Sequence, residues 1–124
     1  MLTRLLKAKL HHARVTRCDP DYHGSITIDS NLLRESGLLP NELVLIADCE
    51  NGQRFETYVI AGEPGTGVIG INGAAALLTR PGNRVIVMSF VDAQPHEIDT
   101  HIAKVLVLDQ HNHILERLSS PTKL

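Results

Sequence analysis

The feature that most constrains this chain lies near its middle, where two apolar-rich runs flank Asn51-Gly52 in ELVLIADCENGQRFETYVIAG. Asn-Gly between two such runs is a strong signal for a β-hairpin, because both residues tolerate the positive φ angles of a tight turn. Side chains alternate along a strand, so Arg54, Glu56 and Tyr58 are expected on one face of the second strand. The sequence therefore predicts a β-structure organised around an antiparallel pair.

Shorter apolar runs before and after this hairpin predict further strands. Residues 4–16 alternate between polar and apolar side chains, and SITI, VIGI and RVIVMSF are typical of strands, while KVLVLDQHNHILE predicts a second hairpin around residues 109–112. Short helices are expected in DSNLLRESG, with Asp29 as N-cap and Gly37 as the stop, and in NGAAALL, with Asn72 as the cap. Many short strands separated by turn signals are typical of a barrel or a sandwich.

The composition limits what such a protein can do. The 124 residues suit a single domain, 1–124, and with only 3% aromatic residues its core must be built from Val, Ile, Leu and Ala. A net charge of −2 and few aromatic side chains argue against binding to nucleic acid or to a membrane surface. Cys18 and Cys49 lack metal-pair spacing, and no run is long enough for a signal peptide or a membrane span. We therefore expect a cytoplasmic protein with reduced thiols.

The histidines near the C-terminus could suggest a metal site. His111 and His113 flank a probable turn, and neither they nor His101 are matched by a Cys or His pair at a suitable spacing. Histidines on a solvated turn explain the pattern more simply. No metal site is therefore expected.

Four other stretches combine charged, hydroxyl-bearing and very small residues. They are KLHH with Lys9 and His11, YHGS with Gly24 and Ser25, NGQRFETY with Arg54, Thr57 and Tyr58, and GINGAAA with Asn72, Gly73, Ala74 and Ala75. Each has an ordinary explanation by itself, as a strand face, a turn or a hairpin face. The very small residues of the last stretch would let another group approach the backbone closely.

In this order and combination, the four stretches resemble the aspartate 1-decarboxylases, which are small pyruvoyl-dependent enzymes that make β-alanine for pantothenate. The resemblance covers roughly residues 1–95 and rests on Lys9, His11, Tyr22-x-Gly24-Ser25, Asn51-Gly52-x-Arg54-x-x-Thr57-Tyr58 and Asn72-Gly73-Ala74-Ala75-Ala76. It implies a mainly-β fold, a small six-stranded double-psi β-barrel with short helices. It also implies a homotetramer with active sites between subunits, and it leaves open whether maturation needs a partner protein.

The resemblance implies self-cleavage between Gly24 and Ser25, giving chains 1–24 and 25–124. Amino-acid decarboxylation needs an electron sink, and a pyruvoyl group made from Ser25 would supply it by forming a Schiff base with the amine of L-aspartate. Gly24 is expected to need a positive φ or strain, so that its carbonyl can be attacked. Thr57 is the expected oxyanion donor, and Asn72 is expected to support the geometry of cleavage.

Substrate roles follow for the remaining residues. Arg54 suits a bidentate carboxylate contact, Lys9 offers a second cation, and His11 is expected as a nearby polar contact. Tyr58 is the expected proton donor to the carbanion carbon. The resemblance also implies that the substrate lies against four further residues of the site: Thr57, Gly73, Ala74 and Ala75.

Two other functions remain open from the sequence. One is a pyruvoyl decarboxylase acting on another acidic amino acid, such as glutamate. The other is a barrel that does not process itself and serves in binding or assembly. The mass of the chain under denaturing conditions separates the last possibility from the first two.

Overall fold

The computed structural model describes residues 1–124, and most of them lie in β-strands. The strands are β1 Thr3–Arg14, β2 Arg17–Asp19, β3 Ser25–Asp29, β4 Leu43–Asp48, β5 Arg54–Gly62, β6 Ile69–Asn72, β7 Arg84–Ala93, β8 Ile102–Leu108 and β9 Ile114–Pro121. The helices are α1 Ser30–Ser36 and α2 Pro95–Ile98, with a 3-10 helix at Gly73–Leu78. The expected mainly-β fold with short helices is confirmed.

All strands belong to one hydrogen-bonded sheet with the order β2-β6-β3-β5-β4-β7-β1-β8-β9, so there are nine strands rather than six. The two edge strands, β2 and β9, do not pair with each other, so hydrogen bonds do not close the sheet into a barrel. Only two residues separate β1 from β2, although six strand spacings separate them in the sheet order. Six spacings in a flat sheet would span roughly 29 Å, whereas the connection reaches only about 11 Å. The sheet must therefore curl strongly around its core, as a barrel requires.

A single hydrophobic cluster of 19 buried residues fills the inside of the curl. The alternation expected on β1 is confirmed, because Ala8 and Leu10 are fully buried while Lys7 and Lys9 point away from the core. Every side chain of the cluster is aliphatic, in agreement with the low aromatic content. The face of the sheet opposite this core is called the outer face below.

The first helix forms as the sequence predicts. The Asp29 carboxylate accepts a hydrogen bond from the backbone N–H of Asn31 at 2.8 Å, and Gly37 ends the helix with φ of +82°. The prediction that Asn72 caps a helix through its side chain was wrong, because its amide is engaged elsewhere and the following turns are 3-10. None of the helices has both the length and the apolar character needed to cross a membrane.

Both predicted hairpins are present. Strands β4 and β5 pair antiparallel with Ala47 opposite Arg54, and Gly52 in their connection has φ of +75°. Strands β8 and β9 form the C-terminal hairpin, and β8 also pairs in parallel with β1. The C-terminal region is thus an integral part of the sheet.

Candidate functional site

A row of polar residues crosses the outer face at the start of β3. Ser25 lies opposite Asn72 on β6, and Asn72 lies beside Asp19 on β2. The parallel ladder between β3 and β5, continued back by one residue, sets Ser25 level with Tyr58. Residues at the same level of neighbouring strands point to the same face. The ladders therefore bring Ser25, Asn72 and Tyr58 together, although they are far apart in sequence.

Two hydrogen bonds fix the Ser25 hydroxyl. It donates to the His23 carbonyl oxygen at 2.9 Å and accepts from Nδ2 of Asn72 at 2.9 Å. The same Asn72 amide donates to the hydroxyl of Thr27 at 3.0 Å. Ser25 is fully buried, so this hydroxyl is shielded from water beside the Gly24–Ser25 peptide bond. The arrangement holds a single nucleophilic oxygen in one orientation.

The glycine next to Ser25 does not have a left-handed backbone. Gly24 is absent from the residues with positive φ, and a Cβ added to it would meet nothing within 4 Å. Of the two backbone features expected at Gly24, a positive φ or strain, the positive φ is therefore not found. The left-handed backbone lies at Gly73 instead, with φ of +79°, because β6 turns into the 3-10 helix at that residue.

A cleft of about 660 Å³ opens beside this row. Asn72 and Thr27 line one part of it, and Tyr22, Arg17 and Asp19 line another. Thr27 and Arg17 were not predicted as neighbours of the site. The alternation in SITI could have revealed Thr27, because it falls on the same face as Ser25, whereas Arg17 carries no comparable signal.

Strand β5 carries three of the expected site residues. Arg54 and Tyr58 are exposed on the outer face, four residues apart, which corresponds to roughly 13 Å between their Cα atoms. Thr57 points to the other side, is half-buried and makes no side-chain hydrogen bond. Continuing the β3–β5 register by two residues sets Thr57 level with Gly24.

The first strand carries the two expected residues that lie farthest from Ser25. Lys9 is on the outer face of β1, and three strands lie between β1 and β3 in the sheet. At about 4.8 Å per spacing, this places Lys9 roughly 19 Å from Ser25 along the sheet surface. Within one chain, the structure therefore does not bring Lys9 to the Ser25 hydroxyl.

His11 lies next to Lys9 in a partly buried position. Its ring stacks on His12 at 3.9 Å, and its Nδ1 atom is buried without a hydrogen-bond partner. Burial lowers the pKa of His11, and the positive charges of His12 and Lys9 lower it further. The lowered pKa favours the neutral form of the imidazole. Like Lys9, His11 lies on β1 and is therefore distant from Ser25.

Asp48, at the end of β4, has a buried carboxylate that was not predicted from the sequence. It accepts hydrogen bonds from Thr79 at 2.6 Å, from Asn83 at 2.9 Å and from the backbone N–H of Glu50 at 2.8 Å. Burial raises the pKa of Asp48, but these hydrogen bonds outweigh it, and the net shift is downward. The turn before Arg54 is thereby attached to the end of the 3-10 helix. An Asp shortly before Asn-Gly resembles an ordinary turn residue, so this role could not be recognised from the sequence.

The site and fold together define a class of protein: a small, curled β-sheet domain with a buried, hydrogen-bonded serine at a Gly-Ser step. The sequence profile described as aspartate decarboxylase matches residues 1–115. Proteins named aspartate 1-decarboxylase from Staphylococcus aureus strains MSSA476 and Newman are each 48% identical to this chain over 118 residues, covering 95% of this chain and 93% of theirs. The chain belongs to the aspartate decarboxylase family.

The match extends beyond the region where the sequence motifs suggested it would end. It continues to residue 115 rather than fading near residue 96. The additional part includes β8, whose Ala103, Leu106 and Leu108 are buried. Such a strand keeps a pattern of apolar positions rather than a recognisable motif, because its role is packing against β1.

Proposed function

We propose that this protein is a carboxy-lyase that converts L-aspartate to β-alanine and CO2, as a step towards pantothenate, after cutting itself between Gly24 and Ser25. The observation that carries the proposal is the buried Ser25 hydroxyl, fixed between the His23 carbonyl and the Asn72 amide at the Gly-Ser step. The names of the relatives support the substrate and the reaction.

Cleavage would begin at the hydroxyl of Ser25. Its oxygen attacks the Gly24 carbonyl carbon, the C–N bond breaks, and the amide becomes an ester with a free amine on Ser25. Elimination then releases the Gly24 carboxylate and leaves dehydroalanine at position 25. Hydrolysis of its imine form releases ammonia and leaves a pyruvoyl group at the start of the chain 25–124. Asn72 holds the attacking oxygen, and Thr57, level with Gly24, is the proposed donor to the oxyanion.

The burial of Ser25 explains why cleavage has to come first. In the uncut chain Ser25 is fully buried, and Asn72 is 2% exposed, so a substrate cannot reach position 25. Breaking the chain beside Ser25 frees the segment before it to move away. The uncut chain is therefore an inactive precursor in this proposal.

The residues around position 25 fit a pyruvoyl group, which supplies an electrophilic carbonyl as an electron sink once it is formed. Tyr58, on the neighbouring strand at the level of Ser25, can hold a proton near the carbon that loses CO2. Arg54 has no carboxylate partner in the chain, so its guanidinium is available for a substrate carboxylate. Gly73, Ala74 and Ala75 present little side-chain bulk beside Asn72.

Lys9 and His11 complete the proposed site only if they come from a second copy of the chain. Both lie on β1, and Lys9 is about 19 Å from Ser25 along the sheet. On the outer face between β1 and β3, Leu43 is 62% exposed and Phe90 is 44% exposed. They form an apolar surface suited to contact between copies. This surface supports contact between copies, and the proposed assembly is a cytoplasmic homotetramer with shared sites. Dependence of cleavage on a maturation partner is an outcome of the test below.

The proposal is tested by the mass of the purified protein under denaturing conditions, followed by an assay for β-alanine. We expect two fragments divided between Gly24 and Ser25, the larger blocked at its N-terminus, and turnover of L-aspartate well above that of L-glutamate. Faster turnover of L-glutamate would show that glutamate, rather than aspartate, is the preferred substrate. A single uncut chain that stays uncut when a lysate of the source cells is added would favour a binding or assembly role instead.

Sharing of the site is tested by mixing two inactive variants. Ser25→Ala lacks the cleavage nucleophile, and Lys9→Ala cleaves but lacks the cation. If Lys9 acts on the neighbouring copy, tetramers assembled from both chains should regain activity that neither variant has alone. Mixed tetramers, verified by native mass spectrometry, that remain inactive would contradict the shared site.

A further inference from the structure

Gly73 is in direct contact with the residue before the cleavage point. A Cβ added to Gly73 would lie 2.5 Å from the Cα of Gly24, 2.8 Å from the Gly24 nitrogen and 3.4 Å from the carbonyl oxygen of Tyr22. Side-chain carbons do not approach backbone atoms at 2.5 or 2.8 Å. The backbone of Gly24 therefore occupies the space that any other residue at position 73 would fill with its side chain.

The last residue of β6 and the first residue of the 3-10 helix contact the two reacting groups separately. Asn72 holds the Ser25 hydroxyl at 2.9 Å, and the next residue, Gly73, is the surface against which the Gly24 backbone rests. The hydroxyl is the nucleophile in the proposed cleavage, and Gly24 carries the carbonyl that it attacks. An attack of this kind depends on an approach of about 3–3.5 Å between the reacting atoms, so a displacement by a few tenths of an ångström changes its rate.

We propose that Gly73 is a positioning residue for self-cleavage, and that the requirement for glycine at the cleavage site lies at position 73 rather than at position 24. The inference rests on the proposed function and adds to it a role in maturation for a residue expected to contact substrate. A methyl group at position 73 moves the Gly24 carbonyl away from the Ser25 hydroxyl, whereas a methyl group at position 24 meets nothing within 4 Å.

Backbone strain has to be separated from this contact. Gly73 has φ of +79°, so any other residue there is strained whatever its surroundings. Gly37 provides a matched control, because its φ is +82° and a Cβ added to it would meet nothing within 4 Å. Alanine at either position introduces similar backbone strain, but only alanine at position 73 pushes against Gly24.

The experiment compares the wild type with Gly73→Ala, Gly37→Ala and Gly24→Ala. Cleavage is followed by intact mass as a time course after synthesis, and the thermal unfolding temperature of each uncut chain is measured in a Ser25→Ala background. We expect Gly73→Ala to cleave at least tenfold more slowly than Gly37→Ala, at a similar unfolding temperature. Hydroxylamine, which cuts the ester formed by the acyl shift, should release less fragment from Gly73→Ala than from the wild type.

Gly24→Ala keeps the inference testable even if Gly73→Ala does not fold. We expect Gly24→Ala to fold and to cleave more slowly than the wild type, because it carries the carbonyl that is attacked, but by less than tenfold, because the added methyl group meets nothing within 4 Å. A folded Gly24→Ala that loses more than tenfold in cleavage rate would overturn the inference. Equal rates for Gly73→Ala and Gly37→Ala would also overturn it, because strain alone would then account for the effect. If the wild type itself never cleaves, the proposed function fails, and this outcome is distinct from a wild type that cleaves at the same rate as Gly73→Ala.

Discussion

Two groups of residues in this molecule differ in whether the folding of a single chain brings their members into contact. The proposed cleavage centre is formed by Gly24, Ser25, Thr27, Asn72 and Gly73. All of these residues except the exposed Gly24 are buried, and the Asn72 amide links the hydroxyls of Ser25 and Thr27. The proposed substrate set, formed by Lys9, His11, Arg54 and Tyr58, is spread over the outer face from β1 to β5. Folding brings the first group into contact, whereas it leaves the members of the second group apart on the outer face.

The difference indicates an order of events. Cleavage needs a nucleophile and a carbonyl held at fixed positions. The hydrogen bonds of the buried Ser25 hydroxyl and the contact of Gly73 with the Gly24 backbone are both present as soon as the chain has folded. Substrate binding needs accessible cations that contact the same small molecule. Cations that lie apart on the surface of one chain can do this only when a second copy of the chain packs against that surface. Maturation should therefore be a property of the folded chain, and turnover a property of the assembly.

The largest expected effect comes from removing the cleavage nucleophile. Ser25→Ala should remain a single chain and show no decarboxylase activity, because no hydroxyl is left for the acyl shift. Intact mass and a β-alanine assay measure both properties. Two fragments from this variant would exclude Ser25 as the nucleophile and would remove the distinction between the two groups.

The next largest effect is expected at Tyr58, the member of the substrate set that lies level with Ser25. Tyr58→Phe should cleave normally and yet form β-alanine about 10²–10⁴ times more slowly, the range typical of losing a general acid. The ring is retained, so packing should change little. Turnover near the wild-type rate would exclude Tyr58 as the proton donor, and failure to cleave would assign it to the cleavage centre.

A smaller effect is expected for the exposed cation. Arg54→Ala should cleave at the wild-type rate, while kcat/KM for aspartate falls by roughly 30- to 150-fold, which corresponds to about 2–3 kcal/mol for a charged hydrogen-bonded contact. Arg54→Lys keeps the charge without the bidentate geometry and should recover only part of the loss. An unchanged kcat/KM in Arg54→Ala would remove this residue from the substrate set.

The smallest effect on turnover is expected at Asp48, which attaches the Arg54 turn to the 3-10 helix. The pKa of Asp48 is lowered from 3.8 in the folded protein, so its stabilisation is present above that pH and is lost as the pH falls through the folded value. Asp48→Ala should lower the free energy of unfolding at pH 7 by about 2–3 kcal/mol, because buried donors lose their acceptor. Turnover should fall by only a few fold.

Asp48→Asn serves as the control for that prediction. Its Oδ1 keeps an acceptor for the turn N–H groups, and the Thr79 hydroxyl can reverse its hydrogen bond, so the loss of stability at pH 7 should be smaller. The difference in stability between the wild type and Asp48→Asn should shrink between pH 7 and pH 3, as measured by urea unfolding. A difference that is the same at both pH values would show that the Asp48 charge contributes nothing.

Short-range features of this fold could be predicted from the sequence alone. The Asp29 cap and the Gly37 stop of α1, the hairpin around Asn51-Gly52 and the alternation along β1 all agree with the structure. Each depends on residues within one turn or one strand, where φ preferences and side-chain alternation decide the outcome. The residue types of the cleavage centre were also recognisable, because YHGS and GINGAAA occur in a distinctive order.

Only the tertiary structure decided how those residues are used. Asn72 could have capped a helix, but its amide bonds to Ser25, 47 residues away in the chain, and the left-handed glycine is Gly73 rather than Gly24. The buried role of Asp48 depends in the same way on Thr79, 31 residues away. Strand order and register set these contacts, and they arise from the packing of the whole core. A local pattern can name the residues of such a centre, but it does not contain the distances between them.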